Sequence, residues 1–295
     1  MLQTALALTL LVGSGLLLRS FQALRAVDPG YDVEDVFTFQ MAIDDEPGIE
    51  DAVSMARFHL DFMDRLRALP GVETVGIVEN VPLNERVGVG PFQTEATIDD
   101  VSAAPTIGRT WAAGDYFEAM GISVLRGRIF EDAEQLDNPG HVIVSERAAE
   151  LLWPGEEAIG QQLYWERFDA WETVVGVVED VMQNGFRDEV QPMIYFPLVA
   201  QNPENWAFSS PGFVVKTERA REIAPEVRAL VRELAPTAPM YRVFTMEGLA
   251  ADAMTGVSFA MMALGVASVM ALLLGAVGLY GVLSYVVAER TREIG

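Results

Sequence analysis

The side chains that most often do chemistry are scarce in this 295-residue chain. It holds two histidines, His59 and His141, a single lysine, Lys216, and no cysteine. A hydrolytic triad would need one of those histidines, yet no serine stands in a GxSxG setting and neither histidine has a partner at metal-ligand spacing. The lack of cysteine removes disulfides, Cys-ligated zinc, iron–sulfur clusters and thiol nucleophiles. The lone lysine lies outside any GxxxxGK(S/T) run, so there is no Walker A motif. His59 falls among apolar residues at helical spacing, where a buried or rim histidine is the plain reading. Acids remain as candidates. Asp44-Asp45-Glu46 and Asp99-Asp100 could pair as acid and base or hold calcium, but both sit at expected turns with no EF-hand spacing. Val174 to Asp180 carries one glycine where a dinucleotide loop needs three, and reads as a buried strand leaving the core at its acidic end. No catalytic, cofactor-binding or metal-ligating residue is expected.

Charge and hydrophobicity occupy different parts of the chain. It is 51% hydrophobic but carries a net charge of −23. Residues 28–252 hold 41 of the 43 acidic and 16 of the 20 basic residues, a net charge of −25. A field of that sign repels nucleic acid phosphates and anionic lipid headgroups, so a nucleic acid partner is not expected. It favours solubility and leaves room for a cationic ligand.

The two ends are apolar. A membrane core of about 30 Å needs roughly 20 apolar residues in a helix. Thr4 to Leu18 barely qualifies and reads as a span shortened at its start. No basic stretch precedes it and no small-residue cleavage site follows, which disfavours a signal peptide. Val257 to Ala288 would reach about 48 Å as one helix, so part of it should project beyond the bilayer. Within it Gly275, Gly278 and Gly281 recur at every third position, a small-residue strip on which another helix could pack closely. Arg19 and Arg25 after the first span balance Arg290 and Arg292 after the second, so charge alone does not orient the chain.

Between the spans, alternation from Val33 to Ile43 predicts a strand with Phe37, Phe39, Met41 and Ile43 on one face. After Pro47-Gly48, Ala52, Met55, His59, Phe62, Met63, Leu66 and Leu69 recur at helical spacing, and Val72 to Val78 follows as a strand, completing a βαβ-like unit. A second such unit comes late: strand Phe213 to Lys216, a helix with Val227, Leu230, Val231 and Leu234 on one face, and a strand near Met240 to Phe244. The two units are expected to share a lobe. Between them short strands are predicted at Phe92–Ile98, Thr106–Trp111, Ile122–Leu125, His141–Val144, Gln162–Trp165, Thr173–Val178 and Met193–Phe196, with one helix at Glu146–Trp153. The fold class is α+β with a strand-rich insertion.

An ordered set of local motifs carries a resemblance. Leu10–Ser20, Val27–Tyr31, Leu69–Val72, Gly127–Phe130, Val144–Ala148, Trp153–Gly155 and Ile159-Gly160 are followed by Val174–Asp180, Ile194–Pro197, Gly278–Gly281 and Arg290–Gly295. Together they resemble the MacB/FtsX-type ABC transporter permeases, and specifically the second half of the large duplicated permeases. The resemblance implies a type VII permease half in the bacterial inner membrane. It would have a transmembrane helix and stalk at 1–27, a MacB-like periplasmic core domain at 28–250, a stalk and second transmembrane helix at 251–288, and the start of a cytoplasmic segment at 289–295. Within the core domain it implies a porter-like lobe of 28–91 plus 205–250 and a Sabre-like insertion at 92–204. Such permeases act as mechanotransmitters, driven by a separate cytoplasmic ABC ATPase. Glu289, Arg290, Arg292, Glu293 and Gly295 would begin the segment that couples to it. The implied partners are the lipid bilayer, that ATPase, a second permease half or a second copy, and a periplasmic adaptor or substrate protein. No cofactor is implied in this chain. Family permeases continue into two further spans, so the chain reads as part of such a permease. A membrane-tethered binding or sensor module that works without an ATPase is the alternative from another class.

Overall fold

The computed structural model describes Gly13, Gly15, Arg19 and residues 28–44, 46–186, 189–199 and 209–293, with only the backbone for parts of the last helix. Residues 28–251 form one compact unit, and the two chain ends form another. The strands of the first unit join into one eleven-stranded sheet.

Four of its eleven strands come from the two βαβ-like units. Strand β1 (Val36–Met41), helix α1 (Ala52–Arg67) and β2 (Thr74–Val78) form one; β10 (Gly212–Lys216), α4 (Ala224–Leu234) and β11 (Met240–Thr245) form the other. Neither unit pairs its own strands. β10 inserts antiparallel between β1 and β2, and β1 inserts antiparallel between β10 and β11, giving the order β11-β1-β10-β2. Each crossover is therefore a split βαβ, a pairing that periodicity along one segment cannot reveal. Helix α1 starts where Asp51 accepts from the Ser54 backbone N–H at 2.7 Å while the Ser54 hydroxyl accepts from the Asp51 N–H at 3.0 Å. That reciprocal cap satisfies two of the donors a helix start leaves open.

The strand-rich segment continues the same sheet. β4 (Thr106–Gly114) pairs with β2 through Ala112–Gly114 and with β3 (Gly88–Pro91) through Thr106–Arg109. On its other side it runs parallel to β9 (Met193–Phe196). Beyond β9 come β6 (His141–Ser145), β8 (Ala170–Val178) and the edge strand β5 (Val124–Gly127), with β7 (Gln162–Trp165) hairpinned onto β8. Of Phe92–Ile98, expected as a strand, Gln93 alone is bridged, antiparallel to Tyr164, and the chain then turns. The Thr94 N–H donates to the Thr97 hydroxyl at 2.9 Å, and the Gln93 amide donates to the carbonyls of Thr97 and Ile98, so beyond that bridge side chains take the place of a ladder partner. Besides α3 (Glu146–Leu152) this segment holds a short helix not anticipated from the sequence, α2 (Tyr116–Ala119). Four residues are too few to display a helical period.

Period-two alternation sorts the core onto two faces. Phe37, Phe39, Met41, Val75, Ile77, Phe213, Val215, Ile194 and Phe196 pack on one side with α1, α3 and α4. Val36, Val78, Val214, Met193 and Tyr195 pack on the other with α2 and Met246. Both faces are covered, which is why all six residues of β1 are buried. Phe39 stacks on Phe213 at 4.8 Å between centroids, and Phe62 meets Phe213 edge-on at 5.1 Å. Such pairs contribute about 0.5–1.5 kcal/mol beyond the area they bury.

The last helix, α5, runs Met246–Glu293 over 48 residues. Among the described residues no helix is long and apolar enough to cross a membrane. Of the first expected span, Thr4 to Leu18, only Gly13 and Gly15 are described.

Candidate functional site

The chain enters the 28–251 unit at Asp28 and leaves it through the first turn of α5, and the structure ties both passages to one apolar cluster. Tyr31 and Val36 on the way in, and Met246 and Leu249 on the way out, are buried in the cluster on the α2 side of the sheet. No loop separates β11 from α5, since the strand ends at Thr245 and the helix begins at Met246. The Thr245 hydroxyl accepts from the Gly248 N–H at 3.1 Å, an N-cap, and Glu247 sits in the first turn where the helix dipole favours a carboxylate. Sequence supplies both anchors cheaply: Met246 and Leu249 stand three apart and face one way.

The entry strap is held by backbone. The Asp32 N–H donates to the Met120 carbonyl at 2.6 Å, and the Met182 N–H donates to the Pro29 carbonyl at 2.9 Å. Gly30 lies between these with φ +78°, and a Cβ there would stand 2.0 Å from the Asp180 carbonyl oxygen. Only glycine satisfies both the left-handed backbone and the close approach. Tyr31 is 5% exposed, and burial pushes its hydroxyl well above the ordinary tyrosine range.

Ion pairs close the same end. The sole lysine, Lys216, holds Asp32 at 2.9 Å and donates to the Glu34 carbonyl at 3.2 Å. Arg221 pairs with Glu247 on the first turn of α5. A cleft of about 360 Å³ lies among Glu34, Asp35, Arg219, Arg221, Thr245 and Glu247. Its charges are mixed, and among the described residues no three histidine or acidic side chains are placed to hold a metal. The arrangement is suited to holding two chain segments in place.

The residues singled out by sequence fall elsewhere. His59 is buried, with its ring edge-on to Phe213 at 5.9 Å, and His141 is half-buried beside Glu134. Arg128 and that histidine hold the Glu134 carboxyl down at about 2, with the Arg128 hydrogen bonds the larger cause. Asp100 caps the turn at Val101–Ala103 through the Ser102 N–H at 3.0 Å. Glu46 accepts from the Thr237 N–H at 2.7 Å, pinning one loop to another, while Asp45 lies outside the described residues. Beyond β8, Asp180 accepts from the Arg147 N–H at 2.9 Å. None of these acids is paired with another acid for catalysis.

On α5, Gly275 and Gly278 are half-buried and Gly281 is exposed, and a Cβ at Gly281 would meet nothing within 4 Å. Around them Met262, Val266, Leu273, Val277 and Tyr280 are exposed, Tyr280 to 75%. Glu289, Arg290, Arg292 and Glu293 lie on the α5 backbone with their side chains outside the described residues, and Gly295 lies outside them altogether. Sequence reasoning missed the entry strap and the buried first turn of α5. The signals were the Thr245 cap position followed by Met246 and Leu249, and the glycine of Asp28-Pro29-Gly30.

Residues 4–234 match the family described as the MacB-like periplasmic core domain. Among solved structures, the chain is similar to the periplasmic region of MacB from Actinobacillus actinomycetemcomitans. The identity is 12% and the TM-score 0.48, over 76% of this chain and 94% of that one. It is also similar to the extracellular domain of the noncanonic ABC-type transporter YknZ from Gram-positive bacteria, with 18% identity and TM-score 0.45 over 70% and 99% of the two chains. A domain of a putative permease protein from Porphyromonas gingivalis matches with 15% identity and TM-score 0.43, over 72% of this chain and 90% of that one. No curated protein matches.

Proposed function

Because the chain belongs to the MacB-like periplasmic core domain family, we propose that it is part of an ABC transporter permease that passes ATPase-driven motion from the cytoplasm to an extracytoplasmic domain. The observation that carries this is the loopless passage from β11 into α5, with Met246 and Leu249 seated in the core beside Tyr31. A helix whose first turn is part of the core cannot shift without displacing that core, because close-packed interiors transmit displacement.

Membrane attachment in the proposal is through two spans at either end of residues 28–250. It is supported by the uncharged stretches 1–18 and 253–288 and by the exposed apolar side chains along α5. Gly275, Gly278 and Gly281 would form the strip against which a second permease half or a second copy packs. Glu289, Arg290, Arg292, Glu293 and Gly295 would begin the contact with a cytoplasmic ABC ATPase. The 28–91 plus 205–250 segments would act as a porter-like lobe and 92–204 as a Sabre-like insertion. A periplasmic adaptor or substrate protein would be engaged from there, and the work done would be efflux or envelope transport at the bacterial inner membrane. The hydrolytic step would lie on the ATPase chain, with no cofactor on this one.

Co-purification of the full-length parent permease with candidate ABC ATPases tests the proposal. The ATPase is expected to remain bound to the parent through detergent extraction and to be lost when Arg290→Glu and Arg292→Glu are combined. If no ATPase associates with either form, the motion-transmitting role fails, and a membrane-tethered binding module becomes the better description.

A further inference from the structure

We propose that the cleft between β3 and the β7–β8 turn binds an apolar carboxylate, gripped by the guanidinium of Arg109. Arg65, Arg67, Arg126, Arg128, Arg219, Arg221 and Arg242 each have a carboxylate within 4 Å, which is about half of the described arginines of the unit. Arg109 has none among the described residues, and its side chain donates no hydrogen bond to them. It is half-buried, with its guanidinium carbon 5.0 Å from the Trp165 ring centroid and 5.7 Å from that of Trp111. The aromatic rings hold the guanidinium by cation–π contact while leaving its N–H donors open.

The position is enforced from below. Gly88 faces Arg109 across the β3–β4 ladder, and a Cβ there would stand 1.9 Å from Nη1. Arg167 lines the same cleft, near enough that its charge, after the effect of burial, adds to lowering the proton affinity of Arg109. The acid whose field reaches Arg109 is Glu79, and burial pushes its carboxyl up to about 7, so near neutrality it balances that charge only in part. Two cations lining one cleft of an acidic protein, one of them with no carboxylate within 4 Å among the described residues, describe a site built for an anion.

The chemistry of the rim selects which anion. A planar fork accepts a carboxylate bidentately. Glu166 on the rim and the net charge of the unit oppose a second negative charge, which disfavours a phosphate dianion. Val89, 54% exposed, and Pro91 offer apolar surface to the hydrocarbon that the carboxylate carries. The cleft, about 340 Å³, suits a group the size of a peptide C-terminal residue.

The test is a titration of the full chain in lipid nanodiscs, followed by tryptophan fluorescence. N-acetylphenylalanine serves as the probe, its neutral amide and inorganic phosphate as the other arms. The acid should give a saturable signal and the amide none. Arg109→Gln should weaken binding about tenfold or more, the size of a lost charge-assisted contact. Arg109→Lys should restore part of it, Gly88→Ala should weaken it by displacing the guanidinium, and Arg126→Gln should leave it unchanged. An equal response to acid and amide, or undiminished binding by Arg109→Gln, overturns the proposal. Tighter binding of phosphate than of the acid overturns the assignment of a carboxylate. The acid–amide comparison needs no variant, so it holds even if a substitution prevents folding.

Discussion

Between pH 4.5 and 8 the parent should lose roughly 4 kcal/mol of stability that the Glu172→Gln variant keeps, at about 1.4 kcal/mol per pH unit of displacement. Glu172 lies on β8 directly opposite Leu163 and is 1% exposed, on the face that carries Val174 and Trp165 into the core. Neither carboxyl oxygen has a hydrogen-bond partner. Burial alone pushes its pKa up from 4.5 to about 8. Above 4.5 the unfolded chain has lost this proton while the folded chain still holds it. Raising the pH therefore favours unfolding until the folded-state value is passed, after which the difference is constant. Glutamine removes the titration at similar size. Melting curves of parent and variant at pH 5 and pH 9 should diverge at the higher pH, with the variant more stable. Parallel pH dependence in the two would mean that Glu172 is solvated or paired.

The second large effect is at the entry strap. Gly30→Ala should lower the melting temperature of the 28–251 unit by on the order of 10 °C, since 1 kcal/mol shifts a unit of this size by about 2–4 °C. Two costs combine. A side chain at φ +78° is strained by about 1–2 kcal/mol, and the Cβ would collide with the Asp180 carbonyl, which stands 2.0 Å from where it must go. Overpacking of that kind costs about 1–3 kcal/mol more. Gly155→Ala separates the two, because Gly155 has φ +79° but nothing within 4 Å of an added Cβ. It should show the strain without the collision and a correspondingly smaller shift. Equal shifts would mean that the strap yields to make room.

What the sequence displays and what it conceals follow from the range of each signal. The strands at Gln162–Trp165 and Met193–Phe196 are legible because a short run of apolar and aromatic residues is a local signal. The face of α1 was legible for the same reason: Ala52, Met55, His59, Phe62, Met63 and Leu66 are all buried. Pairing is not local. That β10 separates β1 from β2 depends on a strand some 130 or more residues later in the chain, and nothing in either segment announces it. The Thr94–Thr97 turn was misread because its composition also suits a strand, and the deciding hydrogen bonds are made by side chains. Lys216 stands out in the sequence only as the sole lysine, outside any nucleotide motif, whereas in the structure it holds Asp32 at the entry of the unit. Tyr31, Met246 and Leu249 look like ordinary apolar residues in isolation and gain meaning only because the fold brings both chain passages to one cluster.

If that cluster is the joint through which motion reaches the domain, loosening it should uncouple the two sides without unfolding either. The direct test is hydrogen exchange in the parent permease bound to its ATPase, with and without ATP, in the native chain and in one carrying a Gly-Gly-Ser insertion between Thr245 and Met246. The native complex should show a nucleotide-dependent difference in exchange across residues 28–36 and 240–251. The insertion should erase that difference while ATPase association and the melting transition of the domain persist. Exchange that is the same with and without ATP in the native complex, or a difference that survives the insertion, would contradict transmission through this joint.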